Sequence, residues 1–209
     1  MPRRLIDIAL DELRGIVGSL ASIASESLSK ARTCLKECSK STISTIHALT
    51  RDAYKLRAEV LDLATEIIAR FQPVAADLRH LQALVSASYD FYRITRYSFE
   101  IARTVEILEC TGCEMELACK TWETVENMMK LAREAILEMV EEKAREVMKL
   151  DAEVDEAYVT GLYRLKNSDI NRCMVAEALI LRHLERIADH LTYIASETVY
   201  AVRGLREYV

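Results

Sequence analysis

The sequence predicts an all-α protein built as two tandem three-helix bundles related by an internal repeat, and three observations carry that expectation. Apolar residues recur at spacings of three and four through nearly the whole chain, the period of one face of a helix packed along its neighbours. Only five glycines and two prolines interrupt the 209 residues, so the helices are long and the turns between them short. A segment of the first half also returns in the second. "FYRITRYSFEIA" (91–102) aligns with "LERIADHLTYIA" (184–195) at a constant offset of 93, with identities at Arg93/Arg186, Ile94/Ile187, Ile101/Ile194 and Ala102/Ala195. Both segments fall on the third helix of a three-helix unit, the arrangement of a duplicated bundle.

Each helix has its own stripe. Leu13, Ile16, Leu20, Ile23, Ala24, Leu28, Ala31 and Leu35 draw the first, and "CSKS" (38–41) reads as a turn. Ile46, Leu49, Ala53, Leu56, Val60, Leu63 and Ile67 draw the second without a slip. Pro73 stops it, because proline removes a backbone donor and disfavours helix at the residue before it. The third helix is expected from about Val74 to Glu109, with Asp77 at the favourable positive end of its dipole and Gly112 of "CTGC" as its stop. Met115, Ala118, Trp122, Val125, Met129, Ala132, Ile136 and Met139 form the fourth stripe, and Val147, Leu150, Val154, Ala157, Gly161 and Leu165 the fifth. No breaker separates these two, which places their join near Glu141 to Arg145. "KNSD" (166–169) offers Ser168 or Asp169 as the N-cap of a sixth helix that Gly204 ends after Arg203. The two units then span residues 1–110 and 113–209.

The bulk numbers exclude several classes. A formal charge of −5 gives no field to attract nucleic acid or an anionic membrane, and Trp122 and the nine tyrosines lack the spacing of a base-stacking platform. No apolar run approaches the ~18 residues of a membrane span. Asp7, Asp11 and Glu12 stand where a signal peptide would need its apolar core, so a cytoplasmic protein is expected. There is no phosphate-cradling glycine loop and no G-x-S-x-G turn. His47, His80, His183 and His190 enter no HExxH or Glu-x-x-His motif, the pattern that di-iron bundles use.

The motif with the most chemistry is "LERIADH" (184–190). On a helical wheel Ile180, Leu181, Leu184, Ile187, Leu191 and Ile194 are the buried stripe, and Glu185 and Asp189 fall about 100–140° from its centre, flanking the core. "DAEVDEAY" (151–158) puts Asp151 and Asp155 on the same shoulder of the fifth helix. If those helices pack antiparallel, four carboxylates meet at the surface, and close anions raise one another's pKa unless a cation neutralises them. Oxygen-only donors suit magnesium, manganese or ferric iron, and His190 could tilt the set toward zinc or iron. The plainer alternative is a solvated acidic face, with Arg186 bridging to a carboxylate.

"RFQPVAADLR" (70–79) before a third helix, "DAEVDEAY" on the fifth and "LERIADH" on the sixth resemble the PhoU family of phosphate-uptake regulators. The resemblance implies two three-helix bundles and a non-enzymatic adaptor. Such an adaptor restrains phosphate import by contacting the ATP-hydrolysing subunit of a phosphate ABC transporter, often together with a sensor kinase. It also implies a metal, iron or zinc in some members, at Asp151, Asp155, Glu185 and Asp189. The first half departs from the pattern. Tyr92, Thr95 and Arg96 stand where the family has Glu, Gly and Asp, and Tyr54 and Lys55 occupy the second-helix acidic stretch, so at most one metal site is expected. Arg93 and Arg96 are left for an anion, an acidic partner or plain solvent. Self-association into a homodimer is open. A carboxylate-bound metal enzyme or store, and a scaffold with another partner, remain as alternatives.

Six cysteines complete the reading. In an up-down-up bundle Cys34 and Cys38 come near Cys110 and Cys113, as buried thiols, one or two disulfides, or four zinc thiolates. Cys119 and Cys173 read as core.

Overall fold

The computed structural model describes residues 4–167 and 169–206. Over them the chain forms six helices: α1 (Leu5–Cys34), α2 (Lys40–Phe71), α3 (Ala75–Ile107), α4 (Glu116–Glu138), α5 (Glu141–Asn167) and α6 (Arg172–Arg203). The helix ends follow local chemistry. Ser39 caps α2, its hydroxyl accepting from Thr42 N at 3.1 Å. Gln72 takes the left-handed conformation just before Pro73 and closes α2 through its N–H to Ile68 O. Gly204, also left-handed, ends α6 as expected.

Three boundaries differ from the sequence expectation. α3 stops at Ile107, and the left-handed Glu109 follows it; Gly112 lies further along the connector, where its N–H donates to Leu35 O at 2.9 Å. α4 and α5 part at Met139, a left-handed residue (φ 54°) that no glycine or proline announces. α6 is capped by Asn171, whose Oδ1 accepts from Met174 N at 3.0 Å, and not by Asp169; Ser168 lies outside the described residues.

The helices pack as two triplets, α1–α3 and α4–α6. In addition α2, α3, α6 and α5 form a row in which only neighbours touch, with α1 and α4 lying together behind it. The middle pair runs antiparallel. Arg79, early in α3, donates to Ala201 O late in α6 (3.2 Å), and Arg172 at the start of α6 sits 3.8 Å from Glu109 beyond the end of α3. Two antiparallel neighbours in a row are exchanged by a two-fold axis perpendicular to it, and the offset of 93 is the sequence record of that operation. It carries Asp90 onto His183 and Tyr97 onto His190, so the Asp90–His190 contact becomes the Tyr97–His183 contact. Ile94, Ile187, Ile101, Ile194, Ala102 and Ala195, the repeated apolar residues, are fully buried. The repeat is thus preserved where the halves fuse, and one continuous core holding Phe91, Trp122, Leu184 and Ile187 runs through both triplets.

Candidate functional site

The four carboxylates singled out by the sequence do meet at the α5–α6 seam. α5 and α6 are antiparallel, and Gly161 admits the close approach: a Cβ there would stand 2.6 Å from Leu181 Cδ1. Asp151 and Asp155, one turn apart on α5, then face Glu185 and Asp189, one turn apart on α6. Their electrostatics report the convergence. Burial, followed by the charges of Asp155 and Asp189, pushes the Asp151 carboxyl above its ordinary value, while the Thr192 hydroxyl works against the rise. Burial and Asp189 raise Asp155, with Arg182 opposing. Burial, Asp189 and Asp155 raise Glu185, against Arg182 and Arg186. Desolvation and like charge act together here, each penalising the ionised form.

Two arginines stand in this cluster. Arg182 donates to Glu185 Oε1, and Arg186 Nη1 donates to Asp189 Oδ2 at 2.9 Å. Arg186 therefore bridges to a carboxylate as its place in the motif suggested, whereas the part played by Arg182 was not read from the sequence. Three buried oxygens make no hydrogen bond, Asp151 Oδ1, Glu185 Oε2 and Thr192 Oγ1: the Thr192 hydroxyl influences Asp151 from beyond hydrogen-bond reach, and the Arg186 guanidinium stands 3.7 Å from Glu185 Oε2. Unused lone pairs of two carboxylates, in an all-oxygen donor set, fit a hard cation. As the side chains stand, no group of three or more His, Cys, Asp or Glu among the described residues is arranged to hold a metal ion.

His190 points elsewhere. Its Nδ1 lies 2.8 Å from Asp90 Oδ1 on α3, and both residues are buried. Burial raises the Asp90 carboxyl, and the His190 hydrogen bond pulls it back. This pair belongs to the α3–α6 fusion and not to the acidic cluster, so the expected drift toward zinc or iron through His190 loses its donor. The repeat does not signal the pair, since the offset of 93 makes Asp90 equivalent to His183 and His190 to Tyr97; only the antiparallel packing of α3 on α6 brings Asp90 to His190.

In the first half the corresponding seam is aromatic and basic. Tyr54 on α2 meets Tyr92 on α3 edge-on at 5.9 Å, the Arg57 guanidinium lies 5.2 Å from the Tyr89 ring centre, and that of Arg93 5.1 Å from Tyr97. Arg96, the counterpart of Asp189, is exposed.

The cysteines part from expectation. Cys113 forms a disulfide with Cys173, because the antiparallel α3–α6 pair brings the connector beside the start of α6. Cys34, Cys38 and Cys110 are free, and burial together with a hydrogen bond to Cys38 raises the Cys34 thiol to about 12. A four-thiolate zinc site is therefore ruled out by the pairing of Cys113. Cys173 is a bridge partner, not core, and Cys119 is exposed.

Comparison with known proteins agrees with this architecture. The family model described as "PhoU domain" matches residues 17–105 and again 120–198, one copy per triplet. A Synechocystis protein named as a phosphate-specific transport system accessory protein PhoU homolog is 27% identical over 98% of this chain and 94% of its own length. An Archaeoglobus fulgidus protein of the same name is 29% identical over 81% of each. In fold, the chain matches the crystal structure of PhoU from Pseudomonas aeruginosa (TM-score 0.85, 23% identity, 95% of this chain and 99% of that one). It matches the phosphate transport system regulatory protein PhoU from Streptococcus pneumoniae likewise (TM-score 0.88, 21% identity, 98% and 100%). With both halves accounted for by the same domain, the chain belongs to the PhoU family.

Proposed function

We propose that the protein is an accessory regulator of phosphate transport. It acts as a non-enzymatic cytoplasmic adaptor that restrains a phosphate ABC transporter through its ATP-hydrolysing subunit, with a sensor kinase as a second contact. The observation that carries this reading is the match of both halves to the PhoU domain, alongside relatives of that name aligned over nearly the whole chain. The physical form suits the task. A fused pair of bundles presents long, rigid helix faces, and the chemistry gathered at the α5–α6 seam sits on such a face. The test is capture of a phosphate transporter's ATP-hydrolysing subunit by the immobilised protein, at high and low phosphate. Absence of association in both conditions would overturn the adaptor reading.

A cation at Asp151, Asp155, Glu185 and Asp189 is the second element of the proposal. Iron, manganese, magnesium or zinc held there would neutralise the carboxylates of a seam in which burial and neighbouring charge already raise Asp151, Asp155 and Glu185, clipping α5 to α6 and fixing the face that a partner meets. Arg182 and Arg186 would still hold Glu185 and Asp189 from the rim. A ligand binding only the folded state at 100 times its Kd adds about 2.7 kcal/mol. Elemental analysis of the purified protein and of Asp189→Ala, together with thermal unfolding with and without chelator, checks this. A chelator-insensitive melting temperature and no stoichiometric metal would remove the cation from the account.

A further inference from the structure

The α2–α3 seam of the first half is the counterpart of the acidic seam, with the sign of its charge reversed. The offset of 93 sets Tyr92 and Arg96 at the places of Glu185 and Asp189. Tyr89, Arg93 and Arg96 follow at i, i+4 and i+7 along one side of α3, and Arg57 reaches Tyr89 from α2. None of the three arginines has a carboxylate within 4 Å among the described residues. Arginines elsewhere commonly do: Arg4, Arg32, Arg103, Arg182 and Arg186 are all paired. Two of the unpaired guanidinia are nonetheless held in place. That of Arg57 lies 5.2 Å from the Tyr89 ring centre; that of Arg93 lies 5.1 Å from the Tyr97 ring centre, and its Nη2 donates to the Tyr97 hydroxyl at 2.8 Å. The Tyr97 hydrogen bond raises Arg93 above its ordinary value against burial, and Tyr89 and Tyr92 stand close enough to add to the rise. Arg57 Nε and Arg93 Nε are buried without a hydrogen-bond partner. Leaving a buried donor of a charged group unmade costs free energy that an acceptor anion removes. The seam stays open to solvent, with Arg96 exposed and Tyr54 and Tyr89 58% and 43% exposed.

We propose that the α2–α3 seam is a binding site for a phosphoryl group, free or carried by a small molecule, with Arg57, Arg93 and Arg96 as its cationic donors. A guanidinium presents parallel N–H groups in a fixed fork that matches two oxygens of one phosphate, and arginine is what this seam supplies. A doubly charged anion meets three cations here and has no carboxylate to displace. At Arg182 or Arg186 it would have to compete with Glu185 and Asp189. Chloride or a lone carboxylate brings a single charge and fewer acceptors, so a phosphoryl dianion is preferred. The chain's formal charge of −5 repels anions at a distance, which leaves the selection to this local cluster. The exposed rings of Tyr54 and Tyr89 stand where they would meet whatever the phosphoryl group is attached to. The inference rests on neither the transporter reading nor the cation reading, since the carboxylates lie beyond α3, at the α5–α6 seam.

The experiment is equilibrium dialysis of the full chain, in chelator and at ~0.02 M salt where screening is weak, against radiolabelled inorganic phosphate and against radiolabelled AMP. Saturable binding at one site per chain is expected. Arg96→Gln, at an exposed side chain, and the pair Arg57→Gln/Arg93→Gln should each weaken it about tenfold or more, the worth of a charge-assisted hydrogen bond. Arg96→Lys keeps the charge, loses the fork and should fall between. Arg103→Gln removes a guanidinium of the same helix that is already paired with Glu100, and should bind like the wild type. AMP binding tighter than phosphate, with the excess lost in Tyr54→Ala, assigns the phosphoryl group to a nucleotide; equal or weaker binding assigns free phosphate. No saturable binding of either probe up to ~1 mM overturns the proposal. So does wild-type affinity in the arginine variants when circular dichroism shows them folded, or an equal loss in Arg103→Gln, which would mean diffuse surface charge. Arg96→Gln decides the matter even if the half-buried pair variant does not fold.

Discussion

Reduction of the Cys113–Cys173 bridge gives the sharpest stability prediction, because its magnitude follows from where it sits. The two sulfurs are separated by 60 residues that include all of α4 and α5. Closing a loop of that length removes unfolded-state entropy worth about 4 kcal/mol at 25 °C in the chain-entropy treatment. For a chain of this size each kcal/mol moves the melting temperature by about 2–4 °C, so losing the bridge should lower it by about 8–16 °C. The urea slope should rise as well, since the denatured chain exposes more surface once unlinked. The assay is circular dichroism at the helical band, by heat and by urea, on the wild type with and without reductant and on Cys113→Ser, Cys173→Ser and the double variant. The three variants should coincide with one another and with the reduced wild type. Cys119→Ser, at an exposed free thiol, should stay within about 0.5 kcal/mol of the parent. A double variant that melts with the oxidised wild type would refute the reasoning, and so would single variants differing widely from each other, which would mean local packing and not the cross-link sets the loss.

The acidic cluster makes a pH prediction. Asp151, Asp155 and Glu185 have raised folded-state values, so their favourable contribution is present below the ordinary carboxylate range of about 4 and is lost as pH rises through the raised values. In chelator, Asp151→Asn and Glu185→Gln should therefore melt above the wild type at pH 7, with the gap closing toward pH 4; a gap that widens on acidification would contradict it. Gly161→Ala sets a helix-propensity gain of about 1 kcal/mol against overpacking of the buried Leu181, which costs about 1–3 kcal/mol, so a net loss of up to ~2 kcal/mol in urea unfolding is expected and a clear gain would be inconsistent with the close approach. Asp90→Ala leaves the buried His190 ring without its partner and should cost about 1–3 kcal/mol; a double-mutant cycle of Asp90→Ala with His190→Ala should show strong coupling, and simple additivity would deny the pair.

Legibility in the sequence followed the range of the interaction. Helix existence and face were readable because each stripe repeats locally: Ile46, Val60 and Ile67 fall on the core side of α2 and are buried there. The acidic quartet was readable for the same reason, its i,i+4 spacing being local and the α5–α6 turn short enough to impose antiparallel pairing. The α4–α5 break was not, since Met139 adopts a left-handed conformation without the residue type that prefers it, held by the packing of two helices and the Met139 N–H to Ala135 O bond. Cys173 and His190 were misjudged for one shared cause. Their partners, Cys113 and Asp90, are brought to them only by the antiparallel α3–α6 pairing, and a helical wheel drawn for α6 alone has no place for α3. Arg182 escaped notice because it precedes the motif by one turn from Glu185 and looks like any solvated charge.

The shared α3–α6 spine has a mechanical consequence. Since the duplicated helices lie against each other along their length and bury their repeated isoleucines jointly, the molecule is a stiff plate and not a pair of beads on a hinge. Pressure applied at one edge must tilt the opposite edge as well, so a transporter subunit gripping one half and a second protein gripping the other would feel each other's position without any flexing between them.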